Sequence, residues 1–148
     1  MRKWRLPLTY QPKIEPVING DCTQTIRVRN INKKTGKQAP RKETGDLIQF
    51  FRWSGRPYWS SPVTLTEYMP LIEVIDIKLF PEGIHLPSGL FSPWGSHFCY
   101  DLAFLDRISP HTGEKLGRVL QEKNKIPDIG IEGQILRWNP KNTHGREF

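Results

Sequence analysis

No stretch of this chain approaches the roughly eighteen consecutive apolar residues that a membrane-spanning helix needs. The opening M-R-K-W-R-L-P also lacks the apolar core of a secretory signal. Both absences point to a cytoplasmic protein with no membrane partner. Cysteine is nearly missing: Cys22 and Cys99 are the only two, and they have no C-x-x-C spacing. Reduced thiols are therefore expected, without a disulfide framework. His85, His97, Cys99 and His111 match no usual zinc-ligand spacing, so neither a metal nor a cofactor is expected. Repeats and low-complexity runs are absent as well, and the length suits one domain over 1–148, with a core at about 6–138 and a tail at 139–148.

Acidic residues are scarce beside basic ones, with fifteen Asp and Glu against twenty-two Lys and Arg and a net charge of +7. Such a field favours polyanions such as nucleic acid or an anionic membrane surface, although a merely soluble cationic surface has the same sum. The excess is clustered. Arg27, Arg29, Lys33, Lys34, Lys37, Arg41 and Lys42 follow one another with no acidic residue until Glu43, and Arg2, Lys3 and Arg5 open the chain. Seven Phe, five Trp and four Tyr supply the bulk for a folded core.

Pro7 and Pro12 bracket an extended entry, after which Ile14, Val17 and Ile18 repeat at helical spacing. Pro12 fits the first helical turn and Gly20 the left-handed stop. Thr23 to Arg29 reads as a strand, with Thr25, Arg27 and Arg29 on one face and Gln24, Ile26 and Val28 on the other. A basic loop follows. Asp46 to Trp53 and a turn through S-G-R-P predict a hairpin, and Pro70 to Phe80 alternates as a strand. The Gly- and Pro-rich stretch from Pro81 to Gly95 reads as an irregular inserted loop. A short helix at Asp101 to Asp106, a helix starting at Ser109-Pro110 and a last strand at Ile131 to Trp138 complete the order. The expected class is α+β, a small mixed β-barrel with short flanking helices.

The segment I-N-G-D-C-T-Q-T-I-R, then G-D-L-I-Q-F-F, then V-I-D-I-K-L-F, then an acidic residue before a Ser-started helix, resembles the ASCH domain of the PUA-like superfamily. The resemblance runs from about Leu6 to Trp138. Of the family's G-x-K-x-x-T-x-R stretch, Gly20, Thr25 and Arg27 are present, and Cys22 stands where the lysine is expected. The resemblance implies a small barrel with a cleft beside the first helix, and a domain that binds RNA. Some members similar to the bacterial acetylcytidine amidohydrolase are hydrolases using the motif lysine, the threonine and a later acidic residue; others are described as ribonucleases. Carried over, these roles fall on Cys22, Thr25 and Asp106.

The residues themselves leave each role open. Thr25 is a weak nucleophile without a neighbouring base. Cys22 is either an activated thiolate or a small buried thiol packing the turn. Asp106 is either a proton acceptor or a partner for a helix dipole. Arg27 and Arg29 suit an anionic ligand, or form a solvated strand face. Trp53, Arg56, Tyr58 and Trp59 interleave aromatic and basic groups as base stacking requires, or serve as hairpin core and rim. Lys33, Lys34, Lys37, Arg41 and Lys42 would contact phosphates without reading sequence. The expected partner is RNA, another nucleic acid or a nucleotide-like ligand, in a cleft between the first helix and the barrel. The alternatives are a hydrolase acting on a modified nucleoside or on RNA, and a small basic protein-interaction factor.

Overall fold

The computed structural model describes residues 1–106, 108 and 112–140. Its sheet is organised on one long strand, β5 (Met69–Phe80), whose alternating Ile75, Ile77 and Leu79 were the clearest strand signal in the chain. Along one edge β5 pairs antiparallel with β8 (Ile131–Trp138) from Leu79↔Ile131 to Leu71↔Trp138, with an irregularity between Leu71 and Glu73. Beyond β8 lies β2 (Gln24–Val28), also antiparallel. The N-terminal end of β5 pairs with β3 (Leu47–Trp53), which carries β1 (Lys3–Pro7) in parallel and the short β4 (Pro62–Thr64) in antiparallel register. Its C-terminal end pairs with β6 (Gly83–His85), and β6 with β7 (Phe91–Pro93). Three short helices complete the described chain: α1 (Gln11–Asn19), α2 (His97–Leu105) and α3 (Gly113–Lys123).

The fold is α+β, but the barrel does not close. Among the described residues β1 pairs with β3 and β2 with β8, while β1 and β2 do not pair with each other. The chain crosses from β1 to β2 through α1. Helix α1 is bounded as its sequence dictates: proline stands in the first turn, and Gly20 adopts φ 86°, with its N–H directed to the Val17 carbonyl at 3.4 Å.

Two apolar clusters lie on the two sides of the sheet, and the period of two sorts residues between them. Ile135 of β8 packs with Ile26, Ile77, Leu79, Trp94, Leu102 and Leu116 under α2 and α3. Leu136 and Trp138 pack instead with Leu6, Val17, Cys22, Phe50 and Met69 beneath α1. No described helix is long and apolar enough to cross a membrane.

Strand β1 precedes the expected entry between Pro7 and Pro12, with Trp4 and Leu6 turned inward between Lys3 and Arg5. Three expectations change. The stretch from Pro81 to Gly95 is not irregular; it holds the β6–β7 hairpin. Gly83 is there for close approach, since a Cβ on it would lie 2.3 Å from the Ser92 carbonyl oxygen. Helix α3 starts at Gly113 with Thr112 as its cap, the Thr112 hydroxyl accepting from Lys115 N–H at 3.2 Å. The expected start at Ser109-Pro110 lies outside the described residues. Asp106 does not precede a helix as an N-terminal dipole partner; it is the C-terminal cap of α2. In the expected tail, Asn139 N–H donates to Pro70 O at 3.1 Å, and 141–148 lie outside the described residues.

Candidate functional site

The gap between β1 and β2 opens into a cleft of about 440 Å³. The end of β1 and the turn after it contribute Pro7 to Tyr10, α1 contributes Lys13, and β2 contributes Thr25 to Val28. Asp106 closes one side, Leu116, Leu120 and Lys123 of α3 another, and Tyr58 reaches in from the β3–β4 turn. Thr25 and Arg27 enter together because they alternate on one face of β2. The outward drift of the strand leaves Thr25 buried and Arg27 only partly so.

Lys13 is the residue that the sequence reading missed. It is 4% exposed, and its Nζ lies 3.0 Å from Oδ1 of Asp106, itself 5% exposed. Both charges sit against their local electrostatics. Lys13 is in the first turn of α1, at the positive end of that helix, and Asp106 caps the negative end of α2. Desolvation adds a further cost to each. The pair therefore offsets two adverse placements, which makes it a poor device for stability alone. A signal for it was present: Lys13 lies four residues before Val17, on the face that α1 buries.

Arg27 has no ion pair or side-chain hydrogen bond among the described residues; its guanidinium lies 5.9 Å over the Phe50 ring and its Nε is buried without a partner. Burial pushes it down to about 10, against the opposing pull of Asp106. Lys123, in the last turn of α3, holds its Nζ 5.3 Å over the Tyr10 ring. Desolvation, then repulsion from Arg27 and Lys13, pushes it down to about 8, with Asp106 pulling the other way. The described lining thus holds three cations and one carboxylate, and Lys13 already occupies the carboxylate.

Thr25, Arg27, Asp106 and Tyr58 are the expected residues that meet in this cleft. Cys22 does not join them. It is fully buried in the cluster beneath α1, its thiol directed to the carbonyls of Gln24 at 3.4 Å and Leu105 at 3.5 Å. Cys99 is likewise a buried thiol, raised by burial. Arg29 leaves the cleft for a separate groove of about 330 Å³, which it lines with Arg41, Asp76, His85 and Glu132. There Arg29 pairs with Glu132 at 3.1 Å and Arg41 with Asp76 at 2.6 Å. Lys42 is folded back with its Nζ 4.7 Å over the Trp4 ring, and burial lowers it. Lys33, Lys34 and Lys37 remain exposed on the loop after β2.

The β3–β4 turn presents the aromatic and basic residues. Tyr58 and Trp59 are 86% and 79% exposed, Trp53 lies 5.2 Å from Tyr58, and Arg56 lies 5.5 Å over Trp59. Tyr58 has φ 66°, a left-handed conformation that costs a bulky residue on the order of 1–3 kcal/mol. Tyr58 also stands at the edge of the cleft. No family model, curated protein or solved structure matches this chain.

Proposed function

We propose that this protein is an ASCH-like domain of the PUA-like superfamily that binds a nucleotide, free or within RNA, in the cleft between β1–α1, β2 and α3. One observation carries the reading: Thr25 and Arg27 of the motif stretch and Asp106, the later acidic residue, line the same cleft with a buried lysine and a strained, exposed tyrosine at its mouth. The size suits one nucleotide. Cations hold phosphate, and Tyr58 with Trp59 offers a face on which a base can stack. Lys33, Lys34 and Lys37 add contacts that do not depend on sequence, so affinity falls steeply with salt.

The test is a titration of labelled single-stranded RNA, duplex RNA and duplex DNA at low and moderate salt, each sample then run on a denaturing gel. Salt-sensitive binding of single-stranded RNA, weakened at least about tenfold by Tyr58→Ala together with Trp59→Ala, is the expected result. Equal binding by the double variant would remove the stacking surface from the reading, and no binding to any probe would remove nucleic acid altogether.

A second reading, a hydrolase acting on a modified nucleoside or on RNA, is favoured by Lys13. The lysine that the motif lacks at Cys22 has a counterpart in the same cleft as Thr25, supplied by the preceding helix. A threonine nucleophile needs its proton taken, and Lys13, which lines the same cleft and is held by Asp106 at 3.0 Å, would serve as that base only after releasing its own proton. Loss of an RNA band or of an acylated nucleoside on incubation, abolished by Thr25→Val, supports this reading; intact substrates leave the protein as a binding module.

A further inference from the structure

We propose that the cleft accepts its ligand through an anion, a phosphate group seated between Arg27 and Lys123; this inference rests on the nucleotide reading above and specifies the part of the nucleotide that enters. The argument begins with charge that the fold leaves uncompensated. Two other partly buried arginines of the sheet have partners: Arg29 has Glu132 at 3.1 Å and the Ala39 carbonyl at 3.0 Å, and Arg137 has Glu73 and the Gln24 side-chain oxygen. Arg27 has the Phe50 ring and nothing anionic within pairing distance among the described residues. Its Nε is buried with no acceptor. An unsatisfied donor of a charged group is costly to keep, and one acceptor oxygen removes the cost.

Lys123 completes the seat from across the cleft. The groups that face its ammonium are Tyr10 from the turn before α1, Lys13 from α1, Arg27 from β2 and Asp106 from the end of α2. Two of these are cations, and the carboxylate is held by Lys13 at 3.0 Å. A phosphate between Arg27 and Lys123 would relieve the repulsion between them and supply acceptors to both, with the planar guanidinium suited to two oxygens at once. A neutral nucleoside offers neither. A carboxylate has the charge but fewer oxygens, so phosphate fits the two-sided seat better.

Proton linkage gives this seat a signature. The free Lys123 ammonium loses its proton near pH 8. A bound anion raises that value, so binding takes up a proton above about pH 8, and affinity falls as pH rises through the bound-state value.

The probes are uridine and adenosine, their monophosphates, inorganic phosphate and a short single-stranded RNA, measured by calorimetry in buffers of different ionisation enthalpy. Expected are monophosphates bound at least about tenfold more tightly than their nucleosides, proton uptake on the alkaline side, and loss of both in Arg27→Gln. Lys123→Gln, a rim change that leaves the core untouched, keeps the arginine contact and loses the proton uptake. If monophosphates are no better than nucleosides yet Arg27→Gln still releases the RNA, the seat holds a phosphodiester of a strand rather than a free nucleotide. If RNA binds and neither the phosphate nor Arg27→Gln matters, the phosphate seat is overturned while the nucleotide reading stands. If no probe binds, both fall.

Discussion

Arg27 and Arg29 lie two residues apart, face opposite circumstances, and define the two grooves of this molecule. Arg29 and its neighbour Arg41 lie in a groove where each cation has a carboxylate: Glu132 for one, Asp76 for the other, with Gln134 donating to Asp76 at 3.1 Å. Arg27 lies in a cleft where the described carboxylate belongs to Lys13 and the remaining cations lack one. The first arrangement satisfies itself and gains little from a ligand. The second leaves Arg27 without a carboxylate among the described residues. Total charge did not distinguish them, since both grooves draw on the same basic run; pairing did.

The largest effect should come from the buried pair in the cleft. Lys13→Met strands a carboxylate that is 5% exposed, and a buried charge left without its partner costs about 3–5 kcal/mol. Urea denaturation of Lys13→Met is expected to show a loss of that size. Replacing both partners, Lys13→Met with Asp106→Leu, is expected to return most of it, because no charge is then left in the interior. A single variant that costs less than about 1 kcal/mol would mean that water reaches the pair, and the contrast between the grooves would weaken.

How this contrast relates to the sequence can be traced residue by residue. The strand from Ile131 to Trp138 and the alternation of β5 were legible because a period of two survives burial on either face. That Thr25 and Arg27 share a face was legible from the same period on β2. Lys13 carries no apolar periodicity to mark it, yet α1 buries Lys13 and Val17 together. Asp106 was placed at the wrong end of a helix, since a Ser-Pro pair downstream offered a start that competes with Thr112. The β6–β7 hairpin was hidden because strands of three residues carry too little pattern to outweigh their flanking Gly and Pro. Pairing of side chains distant in sequence, such as Arg29 with Glu132, has no local signal at all, so the sequence assigned Arg27 and Arg29 the same role.

An intermediate effect, of opposite sign, tests the cost of the unpaired arginine. Its guanidinium is held at about 10 by burial, so the native state carries a desolvated cation that the unfolded chain does not. Arg27→Met keeps much of the stem packing over Phe50 and removes the charge. An increase of about 1 kcal/mol in unfolding free energy is expected together with loss of ligand binding, the signature of a residue retained for function at the expense of stability. A decrease instead would show that Arg27 has a stabilising role that its surroundings do not reveal.

The smallest effect belongs to the matched groove, and its smallness is the point. Arg41 grips Asp76 through Nε at 2.8 and 2.9 Å, but the two side chains remain 43% and 46% exposed, so solvent screens most of the attraction. Arg41→Gln should therefore cost about 0.5 kcal/mol and leave RNA affinity close to wild type, unlike Arg27→Gln. The pH dependence has a definite sign. Hydrogen bonding from Arg41 is the main cause that holds the Asp76 carboxyl below its ordinary 3.8, so this contribution is present above that value and disappears as pH falls through the lowered native value. Wild type and Arg41→Gln should then differ slightly near neutrality and converge in acid, as followed by urea denaturation at each pH. Were Arg41→Gln to weaken RNA binding as strongly as Arg27→Gln, the ligand would extend into the outer groove and break an existing ion pair to do so. In that case it would be the length of the basic run, rather than the one unpaired arginine, that sets affinity.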